Sequence, residues 1–566
     1  MLPSSDEPTA DRSKQLRRWG PLAALAVVAL VVIVVVVVSG GGDDGGDGDG
    51  DGDAPVAAEG RPEGAISWTQ AEEEGLDVTF PDTCDTDTGL VAMPFLQVSE
   101  CFADVEDNGG ATSQGVTADS IKVVVYVAKE DDAVLNFITS AIENDDTNQQ
   151  VKDTYQGYAD MFNEFYQTYG RTVELEFLDA SGESQDEVAA RADAVKAAEE
   201  MGAFAVWGGP VLTSAFADEL AARGVVCVGC LLGGSVEFYE DHAPYIFSSG
   251  MNADQVQIHL TEYLSKQIAG GPAEHAGDEY TDQERVFGFL WIEANDTSAD
   301  QADMLVERLG EEGIELAENI SFVLDPARLQ EQATSILAQF KAAGVTSLIF
   351  SGDPISPATF TQEATAQDYF PEWILGPQVL VDTTAFSRTY DQEQWAHAFG
   401  PSPLVARFPS QQQPPWALLE WYTGAPPPAE DTNGVLFPNP NVFYAGLQAA
   451  GPDLTPESFQ AGLFSLAPEE PATSFSSASW GDHGLWPYVD YNGTDDVTEI
   501  WWDPEATGPD EIRNEGTGMW QYVDGGKRYL PGQWAEEKSK VFDPEGAVTI
   551  FEEPPEGEAA PDYPSP

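Results

Sequence analysis

The sequence predicts an α/β protein that consists of two lobes with parallel sheets, preceded by one N-terminal transmembrane helix. The lobes are predicted because short β-branched runs alternate with longer amphipathic runs in two successive series, a pattern typical of β-α-β units. The transmembrane helix is predicted because every residue of 21–38 is apolar, and such a run just spans the hydrocarbon core of a bilayer. Hydrophobic residues make up 42% of the 566 residues, which is enough to form a core in each lobe.

The chain is strongly acidic. It carries 98 Asp and Glu residues against 24 Lys and Arg residues, so its formal net charge is −74. This balance excludes direct binding to nucleic acid, because duplex binding depends on cationic side chains that displace counterions from phosphates. The acids are spread along the whole chain, and salt screens the resulting self-repulsion. Two interpretations stay open: a halophilic protein, and an acidic extracytoplasmic protein without salt adaptation.

The apolar segment (20–38) is predicted to remain as a membrane anchor. Lys14, Arg17 and Arg18 precede it, so the positive-inside rule places residues 1–19 in the cytoplasm and the folded domain outside the cell membrane, which the chain crosses once. A cleaved signal peptide is the alternative, but no small-x-small cleavage site follows the segment directly. No Cys follows it either, so a lipid anchor is not supported.

A linker and a short lead-in precede the first lobe. The linker (39–65) begins with a run of Gly and Asp that can bury nothing. This run does not match an EF-hand, because the Glu at the twelfth position and the flanking apolar helices are missing. The lead-in (66–114) contains Cys84 and Cys101, which are predicted to form a disulfide because the cysteine count is even in an exported chain.

Cys227 and Cys230 form a C-x-x-C at the end of a predicted strand. Such a motif is also found in redox pairs and in zinc sites. A redox motif would open a helix, whereas here a Leu-Leu-Gly-Gly loop follows, and no second C-x-x-C or close His pair completes a metal site. A structural disulfide is therefore predicted, and no metal or other cofactor.

The first series of alternating runs defines lobe 1 (115–250). Its strands are rich in Val and its helices place apolar residues at helical spacing. The predicted strands are 121–128, 172–178, 203–207, 225–228 and 245–249. The predicted helices are 152–169, 186–201 and 213–223.

The second series defines lobe 2 (251–385). Its predicted strands are 285–292, 314–323, 347–351 and 373–375, and its predicted helices are 251–268, 298–309, 328–343 and 359–367. Tandem series of this kind imply a cleft between lobes, with ligands at the carboxyl ends of the strands. Residues 386–535 are predicted to cross between the lobes and to cap one of them, and residues 536–566 to form a disordered acidic, Pro-rich tail.

Four segments in this order carry a resemblance to a known family: GVTADSIKVVVYVA (115–128), AFAVWGGPVLTSAFADELAARGVVCVG (203–229), YIFSSG (245–250) and VTSLIFSGDP (345–354). The order resembles the type I periplasmic-binding fold, specifically substrate-binding proteins of branched-chain amino-acid ABC transporters. The ending MWQYVDGGKRYLPGQW (519–534) is similar to that of actinobacterial members. The resemblance covers roughly 115–534 and implies a small-molecule ligand and an ABC permease in the membrane as partners.

The resemblance also implies ligand contacts from lobe 1. In this family a hydroxyl and backbone N–H groups at a helix N-terminus donate hydrogen bonds to the ligand, and Thr213 and Ser214 occupy the matching positions. The loop of Leu232, Gly233, Gly234 and Ser235 matches the one that supplies further backbone contacts. Either set is equally compatible with helix caps and turn residues.

On lobe 2 the sequence departs from the family. The acid that binds an α-amino group in the family falls near Ser356, and Asp353 is the nearest acid that can substitute, although it also fits a helix cap. A Tyr-Gly of the family is replaced by residues 297–299, so an α-amino-acid ligand is not fixed by the resemblance. The other residues expected at the cleft are Asn295, Asp296 and Thr297 on its second wall and Tyr126, which either stacks on a ligand or packs in the core.

The sequence thus predicts an extracytoplasmic solute-binding protein that closes its lobes on a small polar ligand, such as an amino acid or an amide, and delivers it to an ABC permease. The alternative is a membrane-anchored ligand sensor or surface interaction module of the same fold, which an uncleaved anchor favours. An enzyme is not predicted, because the Gly-x-Ser-x-Gly, His-Glu-x-x-His and Walker A patterns are absent and the five His residues lack the spacing of metal ligands.

Overall fold

The computed structural model of the protein describes residues 61–566, apart from positions 134, 137, 138, 140, 141, 210, 211, 232, 294–297, 326, 377–379, 536 and 537. The predicted membrane anchor and the linker up to residue 60 therefore lie outside the described residues. Within the part of the chain that is described, no helix combines the length and the apolar character needed to cross a membrane.

The lead-in folds against lobe 1. Helix α1 (Trp68–Glu74) is followed by strands β1 (Cys84–Asp85) and β2 (Leu90–Val91), which pair antiparallel. The predicted disulfide between Cys84 and Cys101 is present, with 5.8 Å between the Cα atoms. The second predicted disulfide, between Cys227 and Cys230, is present as well, so both predicted pairings are confirmed.

Lobe 1 is built on a parallel sheet. Its strands are β3 (Ser120–Val127), β4 (Thr172–Asp179), β5 (Ala205–Trp207), β6 (Val226–Val228) and β7 (Ile246–Phe247), paired in the order β4-β3-β5-β6-β7. Ile121, Val123, Val124 and Val125 in the interior strand β3 are fully buried, as expected for a strand covered on both faces. The helices are α2 (Asn148–Phe165), α3 (Glu187–Val195), α4 (Ala215–Ala221) and α5 (Val236–Asp241).

Lobe 2 is built on a larger, mixed sheet. Its first strands are β8 (Phe287–Ile292), β9 (Leu316–Phe322), β10 (Ser347–Ser351), β11 (Glu372–Leu375) and β12 (Ala398–Ser402), which are parallel and paired in the order β9-β8-β10-β11-β12. The helices are α6 (Ala253–Tyr263), α7 (Ser298–Glu311), α8 (Leu329–Ala342), α9 (Ser356–Ala366), α10 (Thr384–Ser387) and α11 (Gln392–Trp395).

The segment 386–535 divides between the lobes. Helices α12 (Pro414–Thr423), α13 (Asn433–Leu436), α14 (Pro438–Ala449) and α15 (Pro456–Phe464) pack on lobe 1, where Leu418, Phe437 and Phe443 join the core. Strands β13 (Val497–Pro509), β14 (Glu515–Tyr522) and β15 (Arg528–Tyr529) instead extend the sheet of lobe 2 by antiparallel pairing with β12 and with one another. The sequence does not predict strands β12 to β15, because Trp, Tyr and Gly interrupt the alternation that marks a strand.

The chain passes between the lobes at 248–252, 409–413 and 492–496, and once more in its C-terminal residues. Segments 248–252 and 492–496 lie side by side: the backbone N–H of Ser248 donates to the carbonyl of Tyr491 (3.1 Å), and that of Gly493 donates to the carbonyl of Ser248 (2.9 Å). Arg528 joins the region to strand β12, because its guanidinium donates to Asp496 Oδ1 and to the carbonyl oxygens of Pro403 and Leu404. Two of the connections between the lobes, 248–252 and 492–496, thus form one hydrogen-bonded hinge.

The C-terminal residues 541–566, named here the C-terminal strap, contact both lobes. Phe551 lies against Phe408 of lobe 2, with 5.7 Å between ring centroids. On lobe 1, Glu558 accepts hydrogen bonds from the backbone N–H and hydroxyl groups of Thr473 and Ser474. In this structure the strap thus has specific partners on both lobes, which its acidic, Pro-rich composition does not reveal.

Candidate functional site

A cavity of about 1420 Å³ lies between the lobes, at the carboxyl ends of the strands of both sheets. On lobe 1 its wall includes Gly208 and Gly209 after β5 and Gly229 after β6. On lobe 2 its wall includes Ser351 at the end of β10 and residues 403–405 after β12. Because this is where doubly wound sheets bind ligands, the cavity is the candidate site, and it lies where the sequence predicts the cleft.

Glycines keep the lobe 1 wall open. A Cβ atom on Gly209 would collide with the carbonyl oxygen of Tyr126, and one on Gly208 would collide with the carbonyl oxygen of Gly229. Only glycine lets the ends of β3, β5 and β6 approach this closely. The wall therefore presents backbone rather than bulky side chains at its centre.

Two of the predicted site residues, Tyr126 and Gly233, line the cavity. The hydroxyl of Tyr126 is already engaged, because it donates to Asp193 Oδ2 at 2.8 Å, and its ring lies 4.2 Å from that of Phe216. Burial raises the pKa of this phenol well above its usual value. Tyr126 thus packs in the core and reaches the cavity wall without a free hydroxyl.

Other predicted site residues do not line the cavity and instead stabilise helix ends. Thr213 Oγ1 accepts from the backbone N–H of Ala215 (2.9 Å), and Ser214 donates to Asp218 one turn along α4 (3.2 Å). Asp353 accepts from the backbone N–H groups of Ile355 and Ser356 and from the Ser356 hydroxyl, so it caps α9. The loop before α5 also stabilises helix ends. Ser235 is the N-cap of α5, and the carbonyl oxygen of Gly234 accepts from the backbone N–H of Ala253, the first residue of α6. Leu232, Asn295, Asp296 and Thr297 lie outside the described residues.

The cavity wall also holds charged residues that the sequence analysis missed. Lys129 pairs with Glu183 (2.8 Å) and Asp131 (3.0 Å). Arg407 donates from Nη2 to the carbonyl of Pro509, and its Nε lies 3.8 Å from a carboxylate oxygen of Glu511. No sequence signal marks Arg407, because it stands alone in an irregular Pro-rich segment without a motif.

Two carboxyl groups of the wall, Asp382 and Glu469, have raised pKa values. Burial raises the pKa of Asp382 to about 7, the charge of Glu511 adds to this, and the hydrogen bond from the Ser402 hydroxyl (2.5 Å) opposes it. Burial also raises the pKa of Glu469 to about 8, although its carboxylate accepts from Gln97 Nε2 at 2.6 Å. At neutral pH Glu469 thus largely keeps its proton, whereas Asp382 is near the midpoint of its titration; each can donate a hydrogen bond when it is protonated.

These raised pKa values predict that stability falls as the pH rises. The folded state keeps protons on Asp382 and Glu469 at pH values where the unfolded chain has released them. The contribution of these two groups to the free energy of unfolding is therefore complete below the unfolded pKa of about 4, and it is lost as the pH rises through 7 to 8. His259, whose pKa burial lowers to about 4, acts in the opposite direction, but mainly below about pH 6.5. We therefore expect the free energy of unfolding in urea to fall from about pH 6.5 to 8, with a smaller slope in Asp382→Asn; a rising free energy would contradict this.

At the rim of the cavity, the tip of the β13–β14 hairpin of lobe 2 touches lobe 1. Arg513 Nη2 lies 2.6 Å from Asp431 Oδ1, and its guanidinium lies 5.3 Å from the ring centroid of Trp416. Asp431 belongs to a group of carboxylates with Asp145 and Asp146 that meets the distance requirement of a metal site. Arg513 supplies the positive charge opposite these carboxylates. In this structure the carboxylate group therefore forms a contact between the lobes.

No family model and no curated protein matches the chain. Among solved structures, a branched-chain amino acid ABC transporter periplasmic ligand-binding protein from Burkholderia xenovorans LB400 has a TM-score of 0.50 at 11% identity, covering 73% of this chain and 96% of that one. An amino acid ABC transporter substrate-binding protein from Pseudomonas fluorescens Pf-5 has a TM-score of 0.49 at 12% identity, covering 74% and 100%.

A fatty acid ABC transporter substrate-binding protein from Thermomonospora curvata is also similar, with a TM-score of 0.44 at 16% identity, covering 76% of this chain and 96% of that one. All three structures are named as ligand-binding or substrate-binding proteins rather than as enzymes. At these identities the likeness concerns the fold alone. The chain is structurally similar to the type I periplasmic-binding proteins of ABC transporters and has their α/β fold with parallel sheets.

Proposed function

We propose that the protein is an extracytoplasmic solute-binding protein that captures a small molecule by closing its two lobes and delivers it to an ABC permease. The observation that carries this proposal is the cavity of about 1420 Å³ between the carboxyl ends of both sheets. The residues that line it belong to both lobes, so a ligand bound there contacts both and favours the closed arrangement over the open one.

The hinge supports the same proposal. Chain segments that cross between lobes in a compact cluster permit rotation of one lobe against the other while each core stays intact. The contact of Arg513 with Asp431 at the far rim is able to form and break with such a rotation, since its side chains are partly exposed and the pair is not part of either core. The predicted membrane anchor belongs to the proposal as the element that holds the folded domain at the outer face of the cell membrane.

The test is a ligand screen on the folded domain, with amino acids, amides, urea and aromatic and aliphatic acids. A true ligand raises the melting temperature by mass action and reduces the radius of gyration in solution scattering, because the lobes close. Two exposed valines provide matched variants: Val435 is 69% exposed and lines the cavity, whereas Val188 is 80% exposed and lies on α3 outside it. We expect Val435→Trp to weaken binding and Val188→Trp to leave it unchanged.

Two results would contradict the proposed function. If ligands that stabilise the protein bind equally well to Val435→Trp, the cavity is not the binding site. If binding occurs without any change in the radius of gyration, closure of the lobes is contradicted and the protein does not work as a two-lobe receptor.

A further inference from the structure

The tip of the β13–β14 hairpin holds Arg513 on a well-defined turn of lobe 2. Asp510 Oδ1 accepts from the backbone N–H groups of Ile512 (3.1 Å) and Asn514 (2.8 Å) and so closes the turn. Arg388, which follows α10, donates to the carbonyl oxygen of Asn514 at 2.8 Å and ties the turn to the body of lobe 2. The position of Arg513 is therefore fixed by lobe 2 itself.

The geometry of the turn does not account for an arginine at position 513. The φ angle of Arg513 is 72°, in the left-handed region that Gly and Asn adopt most easily. Turn chemistry alone therefore favours Gly or Asn at this position. What Arg513 adds is a long cationic side chain, and this side chain contacts lobe 1.

The guanidinium of Arg513 makes three contacts with lobe 1. Nη2 lies 2.6 Å from Asp431 Oδ1 and 3.4 Å from a carboxylate oxygen of Glu430, whose carbonyl oxygen accepts from Nη1 at 2.6 Å. The ring centroid of Trp416 lies 5.3 Å from the guanidinium carbon. The side chains of Arg513 and Asp431 are 26% and 9% exposed, so solvent screens this pair less than it screens a surface ion pair.

Lobe 1 holds the acceptor carboxylates in place. Asp146 Oδ2 accepts from the backbone N–H groups of Asp431 (2.9 Å) and Thr432 (2.7 Å). One carboxylate oxygen each of Asp145, Asp146 and Asp431 lies within 4.8 Å of the other two, so their negative charges repel one another. A guanidinium placed against this group offsets the repulsion, and separation of the lobes takes the guanidinium away.

We propose that Arg513 is a latch between the lobes, and that its contact with the carboxylate group of lobe 1 sets the balance between the closed and open arrangements before a ligand binds. This inference rests on the proposed function, because it requires lobes that open and close, and it adds how that motion is regulated. Asp145, Asp146 and Thr432 also line the cavity, so the latch adjoins the space assigned to the ligand. A closed arrangement that is already populated raises the apparent affinity for any ligand that selects it.

The experiment measures the distance between spin labels on the two lobes of the full-length protein, without added ligand. All four cysteines are paired in disulfides, so Val188→Cys on lobe 1 and Met304→Cys on lobe 2 take the labels specifically. Val188 and Met304 are 80% and 38% exposed. Pulsed electron paramagnetic resonance is expected to show the distance of the closed arrangement described here together with a longer, open component, and their ratio measures the balance.

Two substitutions remove the latch from opposite lobes. Arg513→Asn removes the guanidinium and suits the left-handed backbone, so the turn is kept, and Asp431→Asn removes the charge that it contacts. Each is expected to lower the ratio of closed to open protein about five- to tenfold. The double substitution should lower it little further, because both changes remove the same contact. Lys540→Asn is the matched control: it neutralises a cation whose partner, Asp524, also belongs to lobe 2, and it should leave the ratio unchanged.

A ratio that ignores both substitutions would overturn the latch, and so would two losses that add in the double variant. Absence of the closed distance in the protein that carries only the labels would overturn it as well. If Arg513→Asn does not fold, Asp431→Asn decides the question from lobe 1. If a compound of the ligand screen closes the lobes while neither substitution changes the ratio, the proposed function stands and this inference fails. If neither a compound nor a substitution changes the distance, the lobes do not move and the proposed function itself is contradicted.

Discussion

Replacing Arg528 with Ala is expected to lower the free energy of unfolding by about 3–5 kcal/mol. The side chains of Arg528 and Asp496 are 1% and 0% exposed, and two guanidinium nitrogens contact Asp496 Oδ1 at 2.8 and 2.9 Å. Truncating the arginine leaves the aspartate buried without its counter-charge, and it also releases the carbonyl oxygens of Pro403 and Leu404. The loss falls on the hinge, where the lobes are joined.

Urea unfolding followed by tryptophan fluorescence measures this effect. Lys540→Ala is the matched control, because Lys540 pairs with Asp524 near the same end of the chain but the two side chains are 50% and 33% exposed; its loss should stay below about 1 kcal/mol. The double substitution Arg528→Met with Asp496→Leu should recover much of the loss, since no charge is then left buried. A loss in Arg528→Ala as small as that of the control would refute the assigned role.

A comparable loss, about 3–5 kcal/mol, is expected when Arg285 is replaced by Met. Arg285 Nε and Nη2 contact the two carboxylate oxygens of Glu372 at 2.8 and 2.9 Å, and the side chains are 4% and 0% exposed. Glu372 also accepts from the Ser347 hydroxyl at 2.5 Å, so this cluster joins the segment before β8 to the starts of β10 and β11. Without Arg285 the carboxylate stays inside lobe 2 with only neutral donors.

The same unfolding measurement applies, with Lys538→Met as control. Lys538 contacts Glu274 at 2.6 Å, but it is 70% exposed, so solvent screens the pair and the expected loss is below about 1 kcal/mol. Because the Arg285–Glu372 pair lies far from the cavity wall, the variant should retain ligand affinity at temperatures where it is folded. Loss of affinity in a folded Arg285→Met protein would show that lobe 2 does not behave as an independent unit.

The regular part of the fold follows from local patterns that the sequence displays. β3 and β10 are continuous apolar runs with abundant Val, Ile and Leu, and β-α-β units require parallel pairing, so both sheets are predictable. Strands β12 to β15 are not, because Gly, Pro and Trp interrupt their apolar pattern and because the antiparallel pairing of β12 with β13 joins segments that are far apart in the sequence. The lobe assignment of α12 to α15 depends on core contacts that no local pattern contains.

The site is predictable in its place but not in its residues. Strand ends locate the cavity, because doubly wound sheets bind ligands there. A polar residue after a strand either faces the cavity or caps the next helix, and one or two backbone angles decide which. Ser235 and Asp353 cap helices. Arg407 and Asp382 both line the cavity, but each stands in an irregular segment without a motif, which is why spacing along the sequence does not reveal them.

The C-terminal strap has a consequence for affinity. A free two-lobed receptor samples many open arrangements, and ligand binding has to select one closed arrangement from among them. Because the strap is attached to Phe408 on one lobe and to Thr473, Ser474 and Asp85 on the other, it shortens the range over which the lobes can separate. Under the proposed closure, this restriction lowers the configurational entropy that ligand binding has to remove, so we expect the strap to strengthen binding without touching the ligand.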